Sequence, residues 1–254
     1  VKIPRCFLLA AAILTLHSAA AQPLTVSWRD NPPYNFVENG AEKGFLLARG
    51  KRIFEQAQVP ARFVLEPTKR IWANFRIGTP RYCSLGRYRI PQREAMMQYS
   101  LPIHIDPPRI VLAAPHSVER VQSHATLASL LGDPMLAMGM SDGASFGTAI
   151  DAMLANAGTK VEKRTVESPI MMKLLAADRV SFVIVDRYAW QYWRLHDPSA
   201  QAVVAHDFPD MPPGQKRYLV CSKDVPAETM NRLNDAIRAM KIGTQPLTDA
   251  ELSQ

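Results

Sequence analysis

The sequence predicts an α/β fold of two lobes, each built on a mainly parallel sheet flanked by helices. Short β-rich segments alternate with segments of helical period along most of the 254-residue chain. The alternation falls into two series, and the second opens at Arg109. Two proline-rich joints, HIDPPR (104–109) and DFPDMPPG (207–214), bracket the second series, so the chain crosses between lobes twice.

The elements follow in order. Leu24–Trp28 (LTVSW) reads as a strand, and the turn-rich stretch 29–40 as a loop. Phe45–Ala57 has helical spacing, Ala61–Leu65 is a strand, Thr68–Phe75 a helix and Tyr82–Leu85 a strand. The second series reads strand 109–114, helix 126–131, strand 135–140, helix 145–157, strand 161–166, helix 169–177, strand 180–185 and a helix opened by Asp186. Val203-Val204 is strand-like, Tyr218–Ser222 is a strand, and 227–240 is a helix. The predicted boundaries are 22–107 for lobe one, 108–208 for lobe two and 209–254 for a return to lobe one.

Residues 1–21 read as a signal peptide rather than fold. Lys2 and Arg5 form a basic flank, Cys6–Leu16 an apolar run too short to span a bilayer, and 17–21 (HSAAA) a small-residue cleavage site. A periplasmic location is therefore expected. Export leaves Cys83 and Cys221, which can pair in an oxidising compartment or serve as two small buried side chains.

Composition excludes several classes. A hydrophobic fraction of 47% with 21% charged residues is that of a globular chain. The net charge of +7 is spread along the sequence with no basic block, so nucleic acid is not expected as a partner. No metal-ligand spacing occurs, and neither metal nor cofactor is expected.

One pentapeptide points to chemistry. Gly139-Met140-Ser141-Asp142-Gly143 is G-x-S-x-G between a strand and a helix, the context of a nucleophile elbow. A serine hydrolase would use Ser141, with Asp186 and His196 or His206 following in chain order. No oxyanion-hole segment of the HGGG type precedes it.

Five motifs in order carry a different reading. They are Pro33-Tyr34 with Asn39-Gly40 and Gly44-Phe45; Pro91-Gln92-Arg93-Glu94 with Tyr99-Ser100-Leu101-Pro102; the turn 139–145; Val180–Asp186; and 220–223 with the final helix. Together they resemble the type II periplasmic solute-binding proteins of family 3, which includes the polar amino-acid binders. The resemblance covers nearly all of the mature chain. It implies a two-lobe periplasmic binding protein type II fold with a two-strand hinge, and a monomer that binds without catalysing. It implies capture of a small carboxylate-bearing, amino-acid-like ligand for an inner-membrane ABC permease, or for a sensor in a sensory or accessory role.

It also implies site residues. Arg93 stands where the family grips a ligand carboxylate, a task suited to the planar guanidinium fork. The alternative is a surface Arg–Glu pair. Asp186 stands where the family meets the ligand ammonium, although Asp also serves as a helix N-cap. Backbone N–H groups near Ala144 and Ser145, at the start of the helix expected from Ser145, would bind the carboxylate. Trp28, Tyr34, Trp72 and Tyr88 are candidates for the aromatic wall, with core packing as the alternative for each. The chain departs from the family where Leu85-Gly86-Arg87-Tyr88 replaces the usual hydroxyl positions and Arg81 replaces an acid. The bulk of Tyr88 and the added positive charge can alter the ligand class.

Overall fold

The computed structural model describes residues 22–241; the predicted signal peptide lies outside the described residues. The chain opens with β1 (Leu24–Trp28), the hairpin β2 (Phe36–Glu38) and β3 (Ala41–Lys43), and α1 (Phe45–Gln56). β4 (Ala61–Leu65), α2 (Thr68–Arg76), β5 (Tyr82–Tyr88) and β6 (Met97–Ile105) follow. The second series is β7 (Ile110–Ala113), α3 (Val118–Gln122), α4 (Leu127–Leu131), β8 (Ala137–Ser141), α5 (Thr148–Ala155) and β9 (Lys160–Arg164). It closes with α6 (Ser168–Ala176), β10 (Phe182–Val185), α7 (Arg187–His196) and β11 (Val204–His206), and the chain returns through β12 (Lys216–Ser222) and α8 (Ala227–Ala239).

Two five-stranded sheets result, ordered β4-β1-β5-β12-β6 and β11-β7-β10-β8-β9. Read from opposite edges, they have one topology. Each begins with three parallel strands, then a reversed strand, then one that restores the first direction. The reversed strand in each sheet, β7 or β12, is the one that enters after a crossing between lobes.

The interior strands are largely buried because both faces are covered, whereas the edge strands β4 and β9 are partly exposed. In β7, Val111 and Ala113 join one lobe-two cluster with Leu127 and Leu130, while Ile110 and Leu112 join another with Leu175 and Trp193. Lobe one buries Val26, Trp28, Ile53 and Leu219 against α1 and α8, and Tyr82 and Val220 against α2. Each such large apolar side chain stabilises the fold by about 1.5–3 kcal/mol. Cys83 and Cys221 face each other in the β5–β12 register and form a disulfide.

The sequence reading missed four of these elements, the strands β2, β3 and β6 and the helix α3. The stretch 29–40 contains most of a hairpin, whose turn places Asn39 and Gly40 at φ 52 and 77, the signature of an Asn-Gly hairpin turn. β6 carries Pro102, which reads against a strand, but β6 is an edge strand and pairs only with β12. α3 lacks a strong apolar period, burying only Val121.

The two crossings, 106–109 and 207–215, touch. Asp106 N–H donates to Gln215 O at 2.9 Å. A Cβ added to Gly214 would lie 1.6 Å from Asp106 O, so only glycine fits this approach.

Candidate functional site

The carboxyl ends of β1, β5, β8 and β10 converge on a cleft between the lobes, where open α/β sheets place their binding residues. The cleft encloses about 840 Å³ of space not filled by atoms, part of it open to solvent. Lobe one lines it with Arg29, Thr68, Trp72, Arg87, Tyr88 and Arg93, and lobe two with Ser141, Gly143–Phe146, Ser168 and Asp186. Arg109 and Arg217, beside the two crossings, complete the wall.

Arg93 sits on a short 3₁₀ turn, Pro91–Arg93, started by a proline at its first position. Its guanidinium lies 3.7 Å from the centre of the Trp72 ring. Burial lowers its pKa, partly offset by Tyr99 and Asp151. The surface Arg–Glu alternative does not hold, because Glu94 pairs with Arg89 at 2.7 Å.

Asp186 occupies the N-cap position of α7 but makes no side-chain capping bond. Its carboxylate lies 3.0 Å from Arg109 Nη1 and 3.1 Å from Arg217 Nη2. Burial opposes ionisation of Asp186, yet the two guanidiniums outweigh it and lower the pKa. The Tyr88 hydroxyl donates to Asp106 at 2.5 Å, lies 3.2 Å from Asp186 and accepts from Arg109 at 2.7 Å.

Ala144 and Ser145 line the cleft, but their environment differs from the expected helix start. α5 begins at Thr148, with Gly147 as its N-cap. Asp151 reaches back to accept from Phe146 N–H at 2.9 Å and from Ser145 Oγ. Ser145 Oγ in turn accepts from Gly147 N–H at 3.1 Å, and Ala144 N–H donates to Ser141 O at 3.1 Å. This internal hydrogen bonding occupies donors that the expected helix start would have presented to a ligand.

Of the four aromatic candidates, Trp72 and Tyr88 line the cleft and two do not. Trp28 is 0% exposed in the lobe-one core, because β1 is an interior strand. Tyr34 is also 0% exposed and stands behind the wall. Its ring packs under the Arg217 guanidinium at 4.1 Å, and its hydroxyl donates to Asp106 at 3.1 Å.

The residues that reasoning from sequence missed are charged. Arg217 Nε donates to Asp106 at 2.8 Å, and His104 lies 3.2 Å from the same carboxylate. Burial pushes the Asp106 pKa up, but Arg217 and His104 more than offset it and hold the carboxyl well below its usual range. Arg87 is 6% exposed. Its Nε donates to Ser84 Oγ at 2.8 Å, while its Nη2 has no hydrogen-bond partner among the described residues. Burial, with Arg29 nearby, pulls the Arg87 pKa down to about 9. The sequence signal for Arg87 was its replacement of a family position; Arg109 and Arg217 left no local signal.

Ser141 ends β8 at the cleft, but no hydrogen bond joins it to a histidine among the described residues. His196 stacks on Tyr192 and His206 meets Phe208 edge to face, while Asp186 is held by two arginines. The described residues contain no cluster of three or more metal-ligating side chains, and none of their helices is long and apolar enough to cross a membrane.

No family model matches the chain, and no curated protein matches it. Solved structures do. An ancestral arginine-binding protein bound to arginine superposes with a TM-score of 0.69 at 22% identity, covering 86% of this chain and 92% of that one. The arginine-, lysine-, histidine-binding protein ArtJ from the thermophilic bacterium Geobacillus stearothermophilus gives 0.69 at 14% identity, covering 92% and 100%. The ancestral amino acid-binding protein AncCDT-1, a precursor of cyclohexadienyl dehydratase, gives 0.67 at 19% identity, covering 86% and 89%. The chain has the two-lobe fold of these type II periplasmic binding proteins.

Proposed function

We propose that this chain is a periplasmic solute-binding protein of family 3 that captures a small carboxylate-bearing solute and presents it to an inner-membrane ABC permease. The observation that carries the reading is Arg93. It projects onto the wall of an interlobe cleft, stacked on Trp72, with no carboxylate partner within ion-pair distance among the described residues. A guanidinium oriented in this way is ready for a bidentate carboxylate. The basic and apolar leader and the Cys83–Cys221 disulfide support export to an oxidising compartment.

The cycle needs no covalent step. The solute enters between the lobes, bridges groups of both, and shifts the population towards the closed arrangement. Arg29 already reaches across to Glu167 at 3.4 Å, and Thr68 N–H donates to Glu167 at 2.9 Å, so closure has direct contacts of its own.

The test is thermal unfolding of the mature chain against amino acids, polyamines and small carboxylates. A ligand at one hundred times its Kd should raise stability by about 2.7 kcal/mol. Arg93→Ala should abolish that rise while leaving the unliganded melting temperature within a few degrees. An unchanged rise in the variant would remove Arg93 from the site. Recovery of a chemically altered solute after incubation would replace capture with catalysis.

A further inference from the structure

The charges in the cleft do not match an amino acid. Two buried carboxylates, Asp106 and Asp186, face two guanidiniums within 3.1 Å, the buried Arg217 and the partly buried Arg109, so these four groups balance among themselves. Asp186, the group that would meet a ligand ammonium, thus already has two cations against it. An ammonium placed there would bring a third positive charge into a buried site, where like charges repel strongly.

Arg87 and Arg93 are in the opposite condition. Their guanidiniums lie 5.4 and 3.7 Å from the centre of the Trp72 ring, and neither has a carboxylate within ion-pair distance among the described residues. The acidic groups nearby are committed elsewhere. Glu167 accepts from Thr68 and pairs with Arg29, and Asp151 accepts from Ser145 and Phe146. Two buried donors on this wall, Arg87 Nη2 and Trp72 Nε1, have no hydrogen-bond partner among the described residues. A buried cation is costly unless an anion compensates it.

We infer that the solute is a compact dianion without an ammonium group, a dicarboxylate or a phosphate monoester, held by Arg87 and Arg93 beside Trp72. This rests on the solute-binding reading; a phosphate monoester would keep that reading but replace its carboxylate with another dianion. Arg109 takes the place that an amino acid's ammonium would need at Asp186.

The test is calorimetric titration of the mature chain with pairs that share a skeleton: succinate against aspartate and glutarate against glutamate, with glycerol 3-phosphate and glutamine as further probes. At least one dianion without an ammonium should bind tenfold or more tightly than its ammonium-bearing counterpart, and glutamine should bind no better than that counterpart. The phosphate arm distinguishes the two sources of the dianion. Arg87→Gln should weaken the preferred dianion by at least about tenfold, the loss of a charge-assisted hydrogen bond. Arg109→Met should narrow the gap between glutarate and glutamate by uncovering Asp186.

Tighter binding of aspartate or glutamate than of succinate or glutarate overturns the inference and leaves solute binding intact. Failure of every probe, amino acids included, overturns both. An unchanged glutarate-to-glutamate ratio in a folded Arg109→Met protein overturns the role assigned to Arg109.

Discussion

The two lobes share one strand order and divide the work differently. Lobe one supplies Arg29, Arg87 and Arg93 to the cleft and is cross-linked between β5 and β12. Lobe two supplies hydroxyls, a hydrogen-bonded turn and the carboxylates of Glu167 and Asp186, and its sheet is held by apolar burial on both faces. The same topology can therefore carry either charge, provided the carboxyl ends of its strands face the same cleft. Arg87 and Arg93 of lobe one lack a carboxylate within ion-pair distance among the described residues, and this is the place the proposed solute would take.

The largest test of this division is at the junction. Asp106→Asn leaves Arg217 short of a buried partner and should cost about 3–5 kcal/mol in urea unfolding. The pH dependence has a definite sign. The folded-state pKa of Asp106 and of Asp186 is lowered, so their stabilisation is complete above the unfolded value of about 3.9 and is lost as pH falls below it. Asp106→Asn should flatten the acid limb of a stability–pH curve; an unaltered limb would assign that limb to other carboxylates.

Next is the asymmetry of the cross-link. Reduction, or Cys221→Ser, should remove about 2–4 kcal/mol. Hydrogen exchange should show the loss in β1, β5 and β12, with β8 and β10 little affected. Equal loss in both lobes would show that they unfold as one unit. Gly214→Ala forces a methyl against Asp106 O and should cost about 1–3 kcal/mol, with altered exchange at both crossings. The smallest effect belongs to Lys69–Asp142, an ion pair across the cleft mouth at 3.3 Å whose lysine side chain is 65% exposed. Lys69→Ala should change stability by no more than about 1 kcal/mol, and less in high salt.

Most of the fold was legible because strand and helix periods alternate and prolines mark the crossings. β6 was not, since Pro102 is tolerable only on an edge and edge position is a property of the whole sheet. Short motifs pointed to Arg93 and Asp186, and both line the cleft. Trp28 and Tyr34 misled because an aromatic residue does not reveal whether it faces a cleft or a core. Arg217 was silent because its partner Asp106 is 111 residues away, a relation set only by the register of β12 against β6. The expected helix start at Ser145 failed through one side chain, Asp151, which closes the preceding turn on itself.

The contact at Gly214 is a close fit between the two crossings. Two strips of backbone bear on one another there with no side chain between them on that side, and the missing carbon atom is what lets the two crossings meet. Any side chain at 214 would have to part the two crossings, so the joint between the lobes admits no bulk there. A pair of fluorophores, one on each lobe, would report whether Gly214→Ala shifts the lobes apart.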